Sequence, residues 1–231
     1  MKRRIFCLCL IILSFTLPTN TQNRPIKIDN IESRLGTITS ADIESFIRTF
    51  PRGWFSGVKS IKFLPEYKMI DDKLEGLGTY TRSSREIEIL NSARGFDPIS
   101  ILNAINHESA HANDWISCAD LTSVEREEFG NDILLRIKSP DRLKRRYIEY
   151  LEAKGEFIED IAVEYWAEIA LQYFINPGRL TQEDILIIEK HIFKLDPGYD
   201  QITTAIEREE ITNQIFNNVA EKYLEDMKAL R

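Results

Sequence analysis

Histidine is scarce in this 231-residue chain, which contains three. Cysteine is equally rare, glycine (ten) and proline (eight) are sparse, and basic residues are outnumbered 30 to 37. Each shortage excludes something. Few glycines and prolines beside 43% hydrophobic residues exclude collagen-like, linker-dominated and disordered chains. A formal charge of −7 excludes a nucleic-acid binder that works by broad phosphate neutralisation. No internal repeat or Gly/Ser-rich linker divides the chain, and its length suits one sizeable domain.

Long apolar runs are missing too, with one short exception at the start. Lys2, Arg3 and Arg4 precede an uncharged run from Ile5 to Leu17, which is too short to span a membrane. Thr19 and Thr21 then satisfy a small-x-small cleavage rule. Residues 1–21 therefore read as a secretory signal peptide, with an uncleaved anchor as the alternative, and 22–231 as a single domain. The expected location is exported, secreted or periplasmic, without stable membrane insertion once the signal is removed. Losing three basic residues and no acidic ones takes the formal charge from −7 to −10. Only Cys118 remains, which excludes an intramolecular disulfide even in an oxidising compartment.

Residues 22–37 read as a polar lead-in. Ser40 is the expected cap of an amphipathic helix carrying Ile43, Phe46 and Ile47 and ending at Pro51. Val58–Leu64 reads as a strand, and residues 79–81 and 87–89 alternate around the polar turn 82–85 as a hairpin. Beyond Asp97-Pro98, a helix cap followed by a first-turn proline, the period becomes helical. Helices are expected over 98–117, 122–137, 139–153, 156–175, 181–194 and 202–229, with Thr181 and Asp184 as a capping box. The class is α+β: a small N-terminal sheet and hairpin, then a mainly helical part.

Two of the three histidines sit in His107-Glu108-Ser109-Ala110-His111, an H-E-x-x-H match inside the first long helix. Four residues turn a helix through about 400°, so both imidazoles leave one face about 6 Å apart along the axis. That spacing lets two ring nitrogens reach one Zn²⁺. Glu108, one step round, is placed to take a proton from water on the metal rather than to bind it. An open site needs a third protein ligand. No third histidine follows in the metzincin manner, since position 117 is Ser, and His191 lies in a C-terminal helix. Asp160, Glu164 and Glu168 offer an alternative, recurring every four residues along a helix otherwise rich in Ile, Ala, Trp and Tyr. Like charges so spaced repel, which points to a cation or donors opposite them.

The run His107 to Asp114 (H-E-x-x-H-A-x-D), followed about fifty residues later by E-Y-W-A-E (Glu164 to Glu168), resembles the gluzincin metallopeptidases typified by the anthrax lethal-factor catalytic domain and the clostridial Pro-Pro endopeptidases. The resemblance covers roughly residues 58–180 and implies a zincin-like fold whose hairpin edge holds extended substrate. It also implies that His107, His111 and Glu164 bind one Zn²⁺, that Glu108 is the general base, and that Glu168 orients a ligand histidine. Asp114 matches the motif and either fixes a histidine or caps a neighbouring helix. One position departs: where these families carry an oxyanion-stabilising tyrosine, seven residues before the glutamate ligand, this chain has Phe157. Tyr147 and Tyr150, upstream of Gly155, are the candidate replacements.

Cys118 reads as a small core residue, and Lys144-Arg145-Arg146 as a solvated helix face. The expected activity is an exported zinc-dependent endopeptidase acting on protein or peptide substrates, with no nucleic-acid partner. The alternative is a non-catalytic relative, a secreted or envelope protein that keeps the zinc site as a staple or partner-binding surface. A third reading is a helical envelope protein without metal.

Overall fold

The computed structural model describes residues 26–29, 38–64, 78–90 and 98–229. The expected signal segment 1–21 and the cap at Asp97 lie outside these residues. The described part is α+β: strands β1 (Lys27–Asp29), β2 (Ser60–Leu64), β3 (Gly78–Thr81) and β4 (Glu86–Leu90) accompany a mostly helical remainder. The helices are α1 (Ser40–Arg48), α2 (Pro98–His111), α3 (Ser123–Arg136), α4 (Arg146–Lys154), α5 (Ile158–Ile175), α6 (Gln182–Leu195) and α7 (Gln201–Ala229).

The strands form one sheet in the order β1-β2-β4-β3. β1, β2 and β4 run parallel, while β3 pairs antiparallel with β4 as the other arm of the expected hairpin. β1 falls within the stretch read as a polar lead-in. Three residues carry too little periodicity to be recognised alone, and Lys27–Asp29 become a strand by pairing with Ser60–Lys62. β3 is left at the sheet edge, and α2 packs across it.

Local signals set most helix starts. α1 is capped by Thr39 rather than Ser40: the Thr39 hydroxyl accepts from the Asp42 N–H at 3.2 Å, and Asp42 reaches back to the Thr39 N–H at 2.8 Å. Thr122 with Glu125 repeats this box on α3, and Thr181 with Asp184 does so on α6 as read from the sequence. Gly155, at φ 74°, closes α4 in the left-handed conformation that only glycine adopts freely.

Two helices are shorter than their periodicity implies. α2 stops at His111 because the next residues bond sideways. The Asn113 amide donates to the Ser109 carbonyl at 2.9 Å and to that of Trp54, and Asp114 accepts the N–H groups of Ile116 and Ser117. Arg126 gathers the carbonyls of Trp115, Ile116, Cys118 and Leu121. α4 begins at Arg146 instead of 139, with Arg145 extended at its cap position. The intervening stretch is tied down by Arg136 to Asp141 (2.7 Å), Arg142 to Glu152 (2.7 Å) and Leu143 N–H to Tyr165 (3.2 Å).

The core joins Ile61, Ile87 and Ile89 of the sheet to Leu102 and Ile105 of α2 and Ile169 of α5. Beneath α2 lies an aromatic cluster. Trp54 and Trp166 meet Phe174, Phe129 and His191 there, with His191 stacked on Phe129 at 4.6 Å. Cys118 is buried as expected. α7 is held by the buried Arg208, which donates to Thr49, Tyr199 and the Phe174 carbonyl at 2.7–3.0 Å and lies over the rings of Phe50 and Phe174. No helix among the described residues is long and apolar enough to cross a membrane.

Candidate metal centre

The site is built where α2 crosses α5. Trp166 donates its indole N–H to the Ala110 carbonyl at 2.9 Å, and the Trp54 indole donates to Ser109 Oγ at 2.8 Å. Ser109 Oγ in turn donates to the Asn106 carbonyl at 2.7 Å. Tyr165, next to Glu164, donates its hydroxyl to Asp184 at 2.8 Å. These contacts fix the translation and rotation of both helices, so the residues between them meet in one register.

What meets is His107, His111 and Glu164. His107 Nε2 lies 3.4 Å from one Glu164 oxygen, and His111 Nε2 lies 3.6 Å from the other. One ligand atom from each residue falls within 4.8 Å of the rest, a group that could hold a metal ion. The separations fit that use. Two donors each about 2.0–2.1 Å from a tetrahedral zinc stand about 3.3 Å apart, whereas a strong N–H···O bond would be shorter than what is seen. The three side chains keep 22%, 13% and 25% exposure, which leaves one side of the site open. Asp160, the rival on the acidic stripe, is exposed on the preceding turn and outside the group. His191 is buried in the aromatic cluster and likewise does not join.

The electrostatics suit a cation. Burial pushes His111 down to about 4, helped by His107 and Arg82 and opposed by Glu164, so its imidazole is a neutral lone-pair donor at pH 7. For His107 burial acts in the same sense, but the attraction of Glu164 and the charges of Glu108 and Glu168 outweigh it and raise its pKa. Glu164 is desolvated yet held below the ordinary carboxylate range by its two histidines. Glu108 is pushed up to about 7 by burial and by Glu164, with His107 and the Tyr80 N–H pulling the other way.

The remaining predicted residues divide. Glu168, assigned by the resemblance to a ligand histidine, instead forms an ion pair with Arg145 and accepts from Gln172 Nε2 at 3.0 Å, while its charge still acts on His107. Arg145 thus leaves the solvated face on which Lys144 and Arg146 remain exposed. Asp114 is buried, holds the turn after α2 and pairs with Arg82 of the hairpin at 3.3 Å, so it couples α2 to the hairpin rather than fixing a histidine. Phe157 is 77% exposed at the cap position of α5. Of the two tyrosines, Tyr147 lies in the field of Glu164 and Glu108, which adds to the burial that raises its pKa. Tyr150 stacks on Tyr147 at 6.5 Å and carries Lys154 over its ring.

Sequence reasoning missed Arg145, Arg82, Trp54 and Gly78. The first three act through partners distant in sequence. Gly78 had a faint signal, a small residue immediately before the predicted strand 79–81. No model of a known protein family matches the chain, and no curated protein matches it.

Proposed function

We propose that this chain is a zinc-dependent endopeptidase of gluzincin type, exported by its N-terminal segment. The observation that carries the reading is the convergence of His107, His111 and Glu164 at metal-ligand spacing, with Glu108 alongside and packed against Gly78 of β3. His107, His111 and Glu164 would hold one Zn²⁺. Bound there, zinc supplies Lewis acidity for the scissile carbonyl and the attacking water.

The other steps belong to the chain. Glu108, with a pKa near neutrality, takes the proton of the attacking water and passes it to the leaving amine. Tyr147, whose pKa is raised by burial and by the charges of Glu164 and Glu108, is the tyrosine we propose in place of the donor that Phe157 lacks for the oxyanion that develops on the carbonyl. β3, which no described strand pairs on its outer side, is the strand proposed to receive an extended peptide. Glu168, held by Arg145, adds negative charge behind His107.

A peptide-library digest with and without chelator tests this reading. Chelator-sensitive cleavage is expected, and Glu108→Gln should keep zinc while losing about 10²–10⁴ in rate, the usual contribution of a general base. Zinc-loaded protein that cleaves no peptide would replace the reading with a non-catalytic zinc site.

A further inference from the structure

The turn that leads into β2 is wedged between α2 and the hairpin. On one side, the Trp54 indole donates to Ser109 Oγ at 2.8 Å, the Trp54 carbonyl accepts from the Asn113 amide, and Gly57 lies against Ala112. A Cβ on Gly57 would stand 2.8 Å from the Ala112 carbonyl oxygen and 2.9 Å from the Ala112 Cβ, so backbone would have to shift to admit it. Gly57 has no positive φ, and close approach rather than backbone conformation calls for glycine here. On the other side, the Gly57 carbonyl accepts from the Tyr80 hydroxyl and from Arg85 Nε, each at 3.1 Å, and Arg85 also donates to the Ser56 carbonyl.

β3 meets α2 through one face. Gly78 and Tyr80 stand opposite Ile89 and Ile87 of β4, so they share the face that carries these core residues. A Cβ on Gly78 would lie 2.8 Å from Glu108 Cγ, so the Glu108 side chain rests directly on this face. Tyr80 rests on Gly57, and Gly57 on Ala112. Arg82, just beyond the strand, reaches Ser117 Oγ at 2.7 Å and Asp114 at 3.3 Å. The hairpin is thus held off the helix and its following turn at successive points, and the first of them is the side chain of Glu108.

We propose that Gly57 and Tyr80 are positioning residues for Glu108: the stack Tyr80–Gly57–Ala112 sets the distance between β3 and α2, and that distance confines the Glu108 side chain between the two. If the stack is shortened, β3 presses on Glu108; if it is loosened, the wall behind the carboxylate recedes. The three metal-binding side chains stand where α2 meets α5, so the stack acts on the base and leaves the ligands alone. That Glu108 is a base rests on the peptidase reading; the spacing of β3 from α2 does not.

Tyr80→Phe keeps the ring and deletes the bond to Gly57, and Gly57→Ala forces the turn off Ala112. Both are made in the full chain, loaded with zinc and assayed on a peptide taken from the library digest. For Gly57→Ala, kcat should fall about tenfold, because small displacements of a catalytic group are costly, and for Tyr80→Phe it should fall by less. KM, and zinc affinity in competition with a chelator, should stay within about twofold of wild type in both. An unchanged kcat, a rise in KM at constant kcat, or a loss of zinc affinity in step with the rate would each overturn the assignment to Glu108. The stack itself is read by urea unfolding. Tyr80→Phe should lower the midpoint in the wild-type background and lower it less in the Gly57→Ala background, where the accepting carbonyl is already displaced. Equal losses in the two backgrounds overturn the stack. If the wild-type protein cleaves no peptide, the peptidase reading falls while the urea cycle still decides the spacing.

Discussion

Neighbouring residues of α5 serve opposite ends. Glu164 faces two histidines at 3.4 and 3.6 Å, a loose arrangement with donors aimed at a common point. Tyr165, one step round the helix, belongs to a closed network. Its hydroxyl donates to Asp184 at 2.8 Å, and Asp184 also accepts from Arg136 Nε at 2.8 Å and from Thr181 Oγ1 at 2.9 Å. Both are carboxylate sites in helical surroundings. The difference is satisfaction: the Asp184 network leaves nothing for a ligand and ties α3, α5 and α6 together, whereas the Glu164 group is complete only with an added charge.

The comparison breaks most sharply through metal content. Glu164→Ala or His111→Ala should abolish stoichiometric zinc as read by metal analysis, while Asp160→Ala should retain it, since two donors leave the ion half its shell. If Asp160→Ala strips the metal and Glu164→Ala keeps it, the two sides of α5 have been assigned the wrong way round.

Arg136→Ala attacks the closed side. It leaves Asp184 buried without its cation and should cost about 3–5 kcal/mol in denaturant unfolding, with zinc stoichiometry unchanged in the protein that remains folded.

A third test uses pH. Burial, aided by the charge of Lys194, pushes His191 down to about 4 from 6.5, so it is neutral in the folded protein. The unfolded chain binds the extra proton. Its contribution to stability is therefore complete above pH 6.5 and lost as pH falls from 6.5 toward 4, about 3 kcal/mol across the window. His191→Phe, which keeps a ring against Phe129, should flatten this part of the stability–pH curve.

Smaller effects sharpen the boundary between the two regions. Glu168→Ala should weaken zinc binding in competition with a chelator, by less than loss of a ligand does, because it removes a favourable charge acting on His107 and leaves Arg145 without its partner. Thr122→Ala, remote from both sites, should cost about 1 kcal/mol through its lost cap and leave zinc affinity unchanged.

How much of this was legible in the sequence follows from the range of each interaction. The H-E-x-x-H spacing, the hairpin, the Thr181–Asp184 box and the proline at the start of α2 are written within a few residues, and all were readable. The end of α2 was not, because Arg126 and Asp114 redirect a chain whose own periodicity continues to 117. The start of α4 was misread because the stretch before it is held by Arg136 and Tyr165 from other helices. The pairing of Glu168 with Arg145 was hidden for a related reason. A helical stripe says which residues share a face, but not what stands opposite. β1 was invisible because three residues form a strand only when β2 is beside them.

Arg208 carries a last consequence. Its charge is held by carbonyls, hydroxyls and ring faces, with no carboxylate among its hydrogen-bond acceptors. Such a clamp has no acidic partner to neutralise and little Coulomb attraction for salt to screen. The Lys194–Glu125 and Lys190–Asp132 bridges between α3 and α6, at 3.2 and 2.8 Å, have both. In brine these two bridges are thus the contacts that weaken between α3 and α6, where the buried Arg136–Asp184 pair remains, and α7 stays fastened to α1.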